Sequence, residues 1–142
     1  MRCIVYKAGY KYQLKAPCTV SLDLRPEAPV HSDWIDLAGD GTLTLREGYA
    51  WDGPSGPTLD TLTFMRGSLV HDALYQLMRE GHLDPARHRA AADRILRALC
   101  LEDGMNPLRA WWVYQGVRLF ADPAADPASD KPLLRAPEGC QD

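Results

Sequence analysis

The sequence predicts an α+β fold in which a small antiparallel β-sheet is followed by three helices and an extended or disordered tail. Three observations lead to this class. Short segments rich in β-branched and aromatic residues fill positions 1–47, apolar residues recur at helical spacing over 65–121, and residues 122–142 are rich in Pro, Ala and Asp. We therefore predict a single domain over residues 1–121 that ends in this tail.

The strands are predicted from short apolar runs separated by turn residues. The run Thr42-Leu43-Thr44-Leu45-Arg46 alternates strictly between apolar and polar residues, which is typical of a half-buried strand, and Gly39-Asp40-Gly41 before it predicts a hairpin turn. With this run included, the predicted strands are residues 2–6, 10–14, 18–24, 34–37 and 42–46.

Residues 48–60 form a predicted loop between the strands and the helices. Its first ten residues, Gly48-Tyr49-Ala50-Trp51-Asp52-Gly53-Pro54-Ser55-Gly56-Pro57, contain three glycines and two prolines, which predicts an irregular backbone. The simplest interpretation is a crossover from sheet to helices. A second interpretation is a loop that brings backbone carbonyls or amides close to a ligand, since glycine permits close approach and proline restricts the loop.

Capping residues mark the ends of the three helices. The first helix is predicted over 65–80 and ends at Gly81. The second has Asp84 as its N-cap, followed by a proline, and continues to about residue 101. The third begins after Asn106 in the same way.

Composition excludes several classes of protein. The chain has 16 basic and 19 acidic residues and a net charge of −3, so it lacks the basic surface of a nucleic-acid-binding protein. The four cysteines have neither zinc-ligand spacing nor the pattern of a disulfide framework. No apolar run is long enough to span a membrane, and the N-terminus is too short and polar for a signal peptide.

A polar cluster interrupts the most apolar helix. His71, Asp72 and Tyr75 lie within the otherwise apolar segment 67–78, where unpaired charge would be costly to bury. A short connection makes the first two helices antiparallel neighbours, and His71 and Asp93 lie equally far from it. The geometry of this helical hairpin therefore permits Asp93 to accept a hydrogen bond from His71.

Such a pair has a recognisable chemistry. A carboxylate that orients an imidazole equips it to act as a general base. Asp72 points to the flank of the helix and could ligate a hard cation together with loop carbonyls, and Asp52 is a second candidate ligand. Oxygen ligands of this kind suit Ca²⁺. The other histidines, His31, His82 and His88, lie in loop or polar contexts and are expected to be solvated.

The same residues, in order, resemble the catalytic core of phospholipase A2, above all the compact form of parvovirus capsid proteins. The resemblance rests on Gly53-Pro54-Ser55-Gly56-Pro57-Thr58-Leu59-Asp60, His71-Asp72-Ala73-Leu74-Tyr75 and Ala92-Asp93, and covers roughly residues 49 to 100. It implies Ca²⁺-dependent ester hydrolysis on phospholipid, with His71 as base and Asp72 as calcium ligand. It also implies that Tyr75 and Asp93 are hydrogen-bond partners of His71, and that Tyr49 and Gly53 lie near the loop carbonyls of the calcium site.

The chain departs from that core in two ways. Asp52 and Ser55 stand in a loop where phospholipases A2 rely on glycines and carbonyls, and the β-rich N-terminal third has no counterpart there. Ser55 does not lie on the strand-to-helix elbow of a serine hydrolase, so the residues favour a water-activating histidine over a serine nucleophile.

Over residues 6 to about 120 the chain also resembles an uncharacterised family of small proteins encoded by tailed bacteriophages and prophages. The likeness is carried by Asp52-Gly53-Pro54-Ser55-Gly56-Pro57, His71-Asp72-Ala73-Leu74-Tyr75 and Ala92-Asp93. It implies a viral origin, a location in the host cytoplasm or the virion, and other virion proteins as partners, but no activity.

Three functional hypotheses follow. The first is a small calcium-dependent hydrolase of phospholipid esters. The second is a non-catalytic phage accessory or virion protein in which the His-Asp cluster is structural. The third is a hydrolase of another substrate, such as a cell-wall component or a nucleotide.

Overall fold

A computed structural model describes residues 4–6, 12–52, 62–120 and 134–136, with side chains over 12–52 and 62–119. The order of elements confirms the predicted α+β class. The elements are β1 (Ile4–Tyr6), β2 (Tyr12–Gln13), β3 (Cys18–Ser21), β4 (Val30–His31), β5 (Ile35–Leu37), β6 (Thr42–Leu45), β7 (Ala50–Trp51), α1 (Leu62–Arg79), α2 (Pro85–Glu102), α3 (Pro107–Phe120) and β8 (Leu134–Ala136).

The largest sheet of the described residues is antiparallel, with the strand order β3-β6-β5-β4. In β6 the leucines are buried and the threonines are part-exposed, as the alternation of Thr42 to Arg46 predicts. Ile35, Leu37, Leu43 and Leu45 are fully buried. Together they give the sheet one apolar face, which belongs to the same core as α1 and α2.

Two further strand pairs lie outside the largest sheet, and one of them includes a strand that the sequence does not predict. Ala50 and Trp51 form β7, antiparallel to β2, within a segment that the sequence predicts to be irregular throughout. Neither residue is Gly or Pro, and the left-handed turn at Gly48 (φ 96°) lies just before them. Residues 134–136 of the predicted tail pair with β1, so this part of the tail is extended through strand pairing.

The helices begin and end close to their predicted positions because the capping residues form the expected hydrogen bonds. Asp84 accepts a hydrogen bond from the backbone N–H of Ala86, and Asn106 does the same for Leu108. Gly81 adopts a left-handed conformation (φ 83°) after α1. None of the three described helices has both the length and the apolar character needed to cross a membrane.

The packing of α1 against α2 depends on Gly67. A Cβ atom at this position would lie 3.0 Å from Cys100 Sγ, 3.0 Å from Leu96 Cδ1 and 3.3 Å from the Leu96 carbonyl oxygen. The two helix backbones therefore approach closely near the start of α1. This close approach sets the distance between the two helices, and side chains further along them meet across that distance.

We expect Gly67→Val to destabilise the fold by about 2 kcal/mol, because the added carbons must force Leu96 and Cys100 apart. The matched control is Gly116→Val in α3, where no described atom lies within 4 Å of the position of a Cβ atom. That variant should change stability by no more than about 0.5 kcal/mol. Urea unfolding of both variants measures the difference, and equal losses would contradict the close contact at Gly67.

Candidate active site

The hydrogen bond that the helical hairpin permits between His71 and Asp93 is present in the structure. Nε2 of His71 on α1 lies 2.7 Å from Oδ1 of Asp93 on α2. Asp93 is fully buried and His71 is 7% exposed. The imidazole thus lies at the edge of the core, with its partner entirely inside.

Tyr75 and Arg118 complete the surroundings of Asp93. The Tyr75 hydroxyl donates to Oδ1 of Asp93 at 2.6 Å, and Nη1 of Arg118, on α3, donates to Oδ2 at 2.8 Å. The resemblance to phospholipase A2 implies that Tyr75 is a hydrogen-bond partner of His71. In the structure its ring contacts the imidazole, with centroids 4.2 Å apart, while its hydroxyl is directed at Asp93.

The electrostatics of this cluster keep Asp93 ionised. Burial acts to raise the pKa of Asp93, but the hydrogen bonds from His71, Tyr75 and Arg118 outweigh it, and the pKa lies below its ordinary value. Burial and the hydrogen bond to Asp93 raise the pKa of Tyr75, so the phenol stays protonated. The hydrogen bond to Asp93 likewise raises the pKa of Arg118.

These charges determine which nitrogen of His71 can act as a base. An ionised carboxylate only accepts hydrogen bonds, so Nε2 of His71 carries the proton that faces Asp93. The other ring nitrogen, Nδ1, is then the basic one in the neutral imidazole. The charges of Asp93 and Arg118 offset each other within this group of residues.

Asp72 lies on the face of α1 that packs against β7 and the residue before it, Tyr49. One helical turn after it, Gln76 accepts a hydrogen bond from the Tyr49 hydroxyl at 3.0 Å. One turn before it, Ser68 accepts one from the Trp51 indole at 3.3 Å. Segment 49–51 therefore crosses this face of α1 beside Asp72. The sequence allows the Gly/Pro loop, residues 48–60, to pack on the same face.

The predicted calcium ligands are only partly within the described residues. Asp52 and Asp72 are both half-buried. Tyr49 is buried, and its carbonyl accepts a hydrogen bond from the backbone N–H of Leu14. Gly53 and the loop residues Ser55, Gly56 and Pro57 lie outside the described residues.

A calcium site here would depend on oxygen atoms of that loop. Among the residues that the structure describes, no three His, Cys, Asp or Glu side chains come together as a metal-binding group. Two part-buried carboxylates on either side of a Gly/Pro loop provide the type of donor that Ca²⁺ prefers, and loop carbonyls would have to supply the remaining ligands.

No sequence pattern predicts the contact of Arg118 with Asp93, and the prediction that His88 is solvated was wrong. Arg118 follows Asp93 by 25 residues on another helix, and no local pattern connects the two. His88 is 6% exposed instead of solvated, because it lies 2.6 Å from Glu27 in the loop between β3 and β4. His31 and His82 are exposed, as expected.

In a comparison with known proteins, residues 30–117 match a family model described as protein of unknown function (DUF1353). No curated protein and no solved structure matches the chain. The Asp93 cluster consists of Asp93 and its three hydrogen-bond partners, His71, Tyr75 and Arg118. The matched segment contains three of these four residues, and Arg118 follows it directly. Since the match covers more than half of the sequence, the chain belongs to the DUF1353 family.

Proposed function

We propose that this protein is a small hydrolase in which His71 is the general base that activates a water molecule for attack on an ester bond. The observation that carries the proposal is the buried hydrogen bond from Nε2 of His71 to Asp93, which makes Nδ1 the basic nitrogen. A general base needs a fixed orientation and an unprotonated nitrogen, and this geometry supports both.

Each neighbour of His71 contributes to this role. Asp93 orients the imidazole and stabilises the imidazolium that forms when the water loses its proton. Tyr75 packs against the ring and holds the same carboxylate oxygen, and Arg118 holds the other one. Arg118 also offsets the charge of Asp93.

The substrate class that we propose is a phospholipid ester, and the metal is Ca²⁺. Asp72 and Asp52, with carbonyl oxygens of the loop that follows Asp52, would hold the ion. Bound calcium would polarise the ester carbonyl and stabilise the negative charge that develops on its oxygen. The resemblance to phospholipase A2 and the position of Asp72 beside segment 49–51 support this assignment.

A second candidate is a non-catalytic protein in which the cluster is structural, such as a phage accessory or virion component bound to other virion proteins. One observation favours it: Asp93 receives hydrogen bonds from two residues of α1 and one of α3, so a single carboxylate connects all three helices. A buried, fully hydrogen-bonded network of this kind can stabilise a fold without any reaction.

Calcium binding and lipid hydrolysis together test the first candidate. We expect fatty-acid release from phosphatidylcholine vesicles in millimolar Ca²⁺, and none in chelator. Asp72→Asn should abolish calcium binding measured by calorimetry and lower release by about 10²-fold or more, since it removes a ligand charge. Asp84→Asn is the control, because this exposed N-cap keeps its capping function as asparagine.

Two results would contradict the proposal. If the wild-type protein releases no fatty acid and binds no calcium, the phospholipase assignment is wrong. If release occurs but is identical in chelator, the hydrolase does not use calcium.

A further inference from the structure

A surface groove lies between the sheet and the C-terminal half of α1, apart from the Asp93 cluster. Its volume is about 620 Å³, within the range of roughly 300–1,000 Å³ that is typical of small-molecule sites. Neither His71 nor Asp93 lines it. The lining residues are His31, Ser32, Asp33, Trp34, Gly48, Tyr49, Ala50, Gln76, Glu80 and His82.

Trp34 provides the groove with an exposed aromatic surface. Its side chain is 46% exposed, which is unusual for so large an apolar group. The six-membered ring rests on Gly48, where a Cβ atom would lie 3.0 Å from Cζ3, and the left-handed φ of 96° also favours glycine at this position. Gly48 thus supports the indole ring from beneath while the residue remains open to solvent.

A second part of the lining carries polar groups. The Tyr49 hydroxyl donates to Oε1 of Gln76 at 3.0 Å, and Nε2 of Gln76 donates to Oε1 of Glu80 at 2.9 Å. The lining therefore includes an amide and a carboxylate one helical turn apart, and both have hydrogen-bonding capacity beyond these two contacts. Such groups can hydrogen-bond neighbouring hydroxyls of one ligand.

The charge of the lining limits the class of ligand. Asp33 and Glu80 are acidic, and none of the ten lining residues is lysine or arginine. A phosphate or carboxylate would meet these two carboxylates without a strong cationic partner. A quaternary ammonium ion is recognised by a cage of several Trp, Tyr or Phe rings, whereas Trp34 is the one well-exposed ring of this kind that the described part of the lining provides.

We propose that this groove binds a neutral saccharide, with a sugar ring packed on Trp34 and its hydroxyls hydrogen-bonded by Gln76, Glu80 and Asp33. A sugar ring suits both parts of the lining, because its C–H face is apolar and its hydroxyls both donate and accept. The proposal goes beyond the hydrolase function and does not depend on it, since the groove and the Asp93 cluster share no residue.

Isothermal calorimetry with maltotriose, cellotriose and chitotriose tests the proposal on the full chain. We expect at least one of them to bind the wild-type protein. Trp34→Ala should weaken that binding by about tenfold or more. The control is Trp112→Ala, which removes an even more exposed indole (69%) on α3, away from the groove. This variant should bind the saccharide with the affinity of the wild type.

Two more variants keep the test decisive. Glu80→Ala removes an exposed hydrogen-bonding group without touching the packing of Trp34 on Gly48, and it should also weaken binding. His71→Asn should bind the saccharide as the wild type does, so that failure of the hydrolase proposal does not affect this result. The proposal is overturned if no saccharide binds, if Trp34→Ala and Glu80→Ala both bind normally, or if choline or glucose 6-phosphate binds in preference.

Discussion

Replacement of His71 by glutamine is expected to lower kcat for ester hydrolysis by about 10²–10⁴-fold, the usual contribution of a positioned general base. The amide nitrogen of glutamine can take the position of Nε2 and still donate a hydrogen bond toward Asp93, but glutamine has no basic nitrogen to take the place of Nδ1. The measurement is fatty-acid release from phosphatidylcholine vesicles at saturating substrate.

Two controls separate a catalytic from a structural role of His71. His82→Asn changes an exposed histidine and should leave the rate unchanged. Cooperative thermal unfolding of His71→Gln should be retained, since the glutamine amide nitrogen keeps a donor next to Asp93. If that variant hydrolyses lipid at the wild-type rate, His71 is not the base, and the structural interpretation of the cluster gains support.

Replacement of Asp93 by asparagine is expected to destabilise the fold by about 3 kcal/mol, a cost typical of breaking a buried ion pair from one side. The carboxylate accepts hydrogen bonds from His71, Tyr75 and Arg118 with no exposed surface of its own. An amide of the same shape carries an NH₂ group that must face at least one of these donors. It also leaves the charge of Arg118 without its partner.

Unfolding in urea from neutral pH to about pH 3 tests this expectation and its electrostatic origin. Folding lowers the pKa of Asp93, so its ionic contribution is complete above the unfolded pKa of about 3.9 and is lost as the pH falls through the folded value. Asp93→Asn should therefore lose less stability on acidification than the wild type does. The double variant Asp93→Asn/Arg118→Gln should recover part of the loss, since it removes the unpaired charge.

If Asp93→Asn is as stable as the wild type and has the same pH dependence, the burial and pairing of Asp93 are not what holds the helices together. If the double variant is less stable than Asp93→Asn, Arg118 contributes mainly through its packing.

Local chemistry explains why the helices could be predicted closely. Asp84 and Asn106 cap helices because their side chains accept hydrogen bonds from backbone N–H groups two residues later, and this depends only on nearby sequence. The spacing from His71 to Asp93 across a short connection is equally local, since an antiparallel hairpin of helices relates residues that are equally far from its turn. The alternation in β6 predicts its buried face for the same reason.

Contacts between distant segments explain the errors. β7 exists because Ala50 and Trp51 pair with β2, almost forty residues earlier. His88 is buried because a loop 61 residues away places Glu27 over it. Periodicity and propensity describe one segment at a time, and long-range pairing depends on the whole chain.

The sequence by itself determined the α+β order, the helix ends, and the meeting of His71 with Asp93, because capping and the geometry of a short helical hairpin are local. The tertiary structure alone decided that Arg118 reaches Asp93 from α3, that Tyr75 bonds the carboxylate and not the imidazole, and that Trp34 rests on Gly48 at a groove. These features require separate elements to pack into one core. There, the burial of charge and the close approach of backbones determine which side chains come into contact.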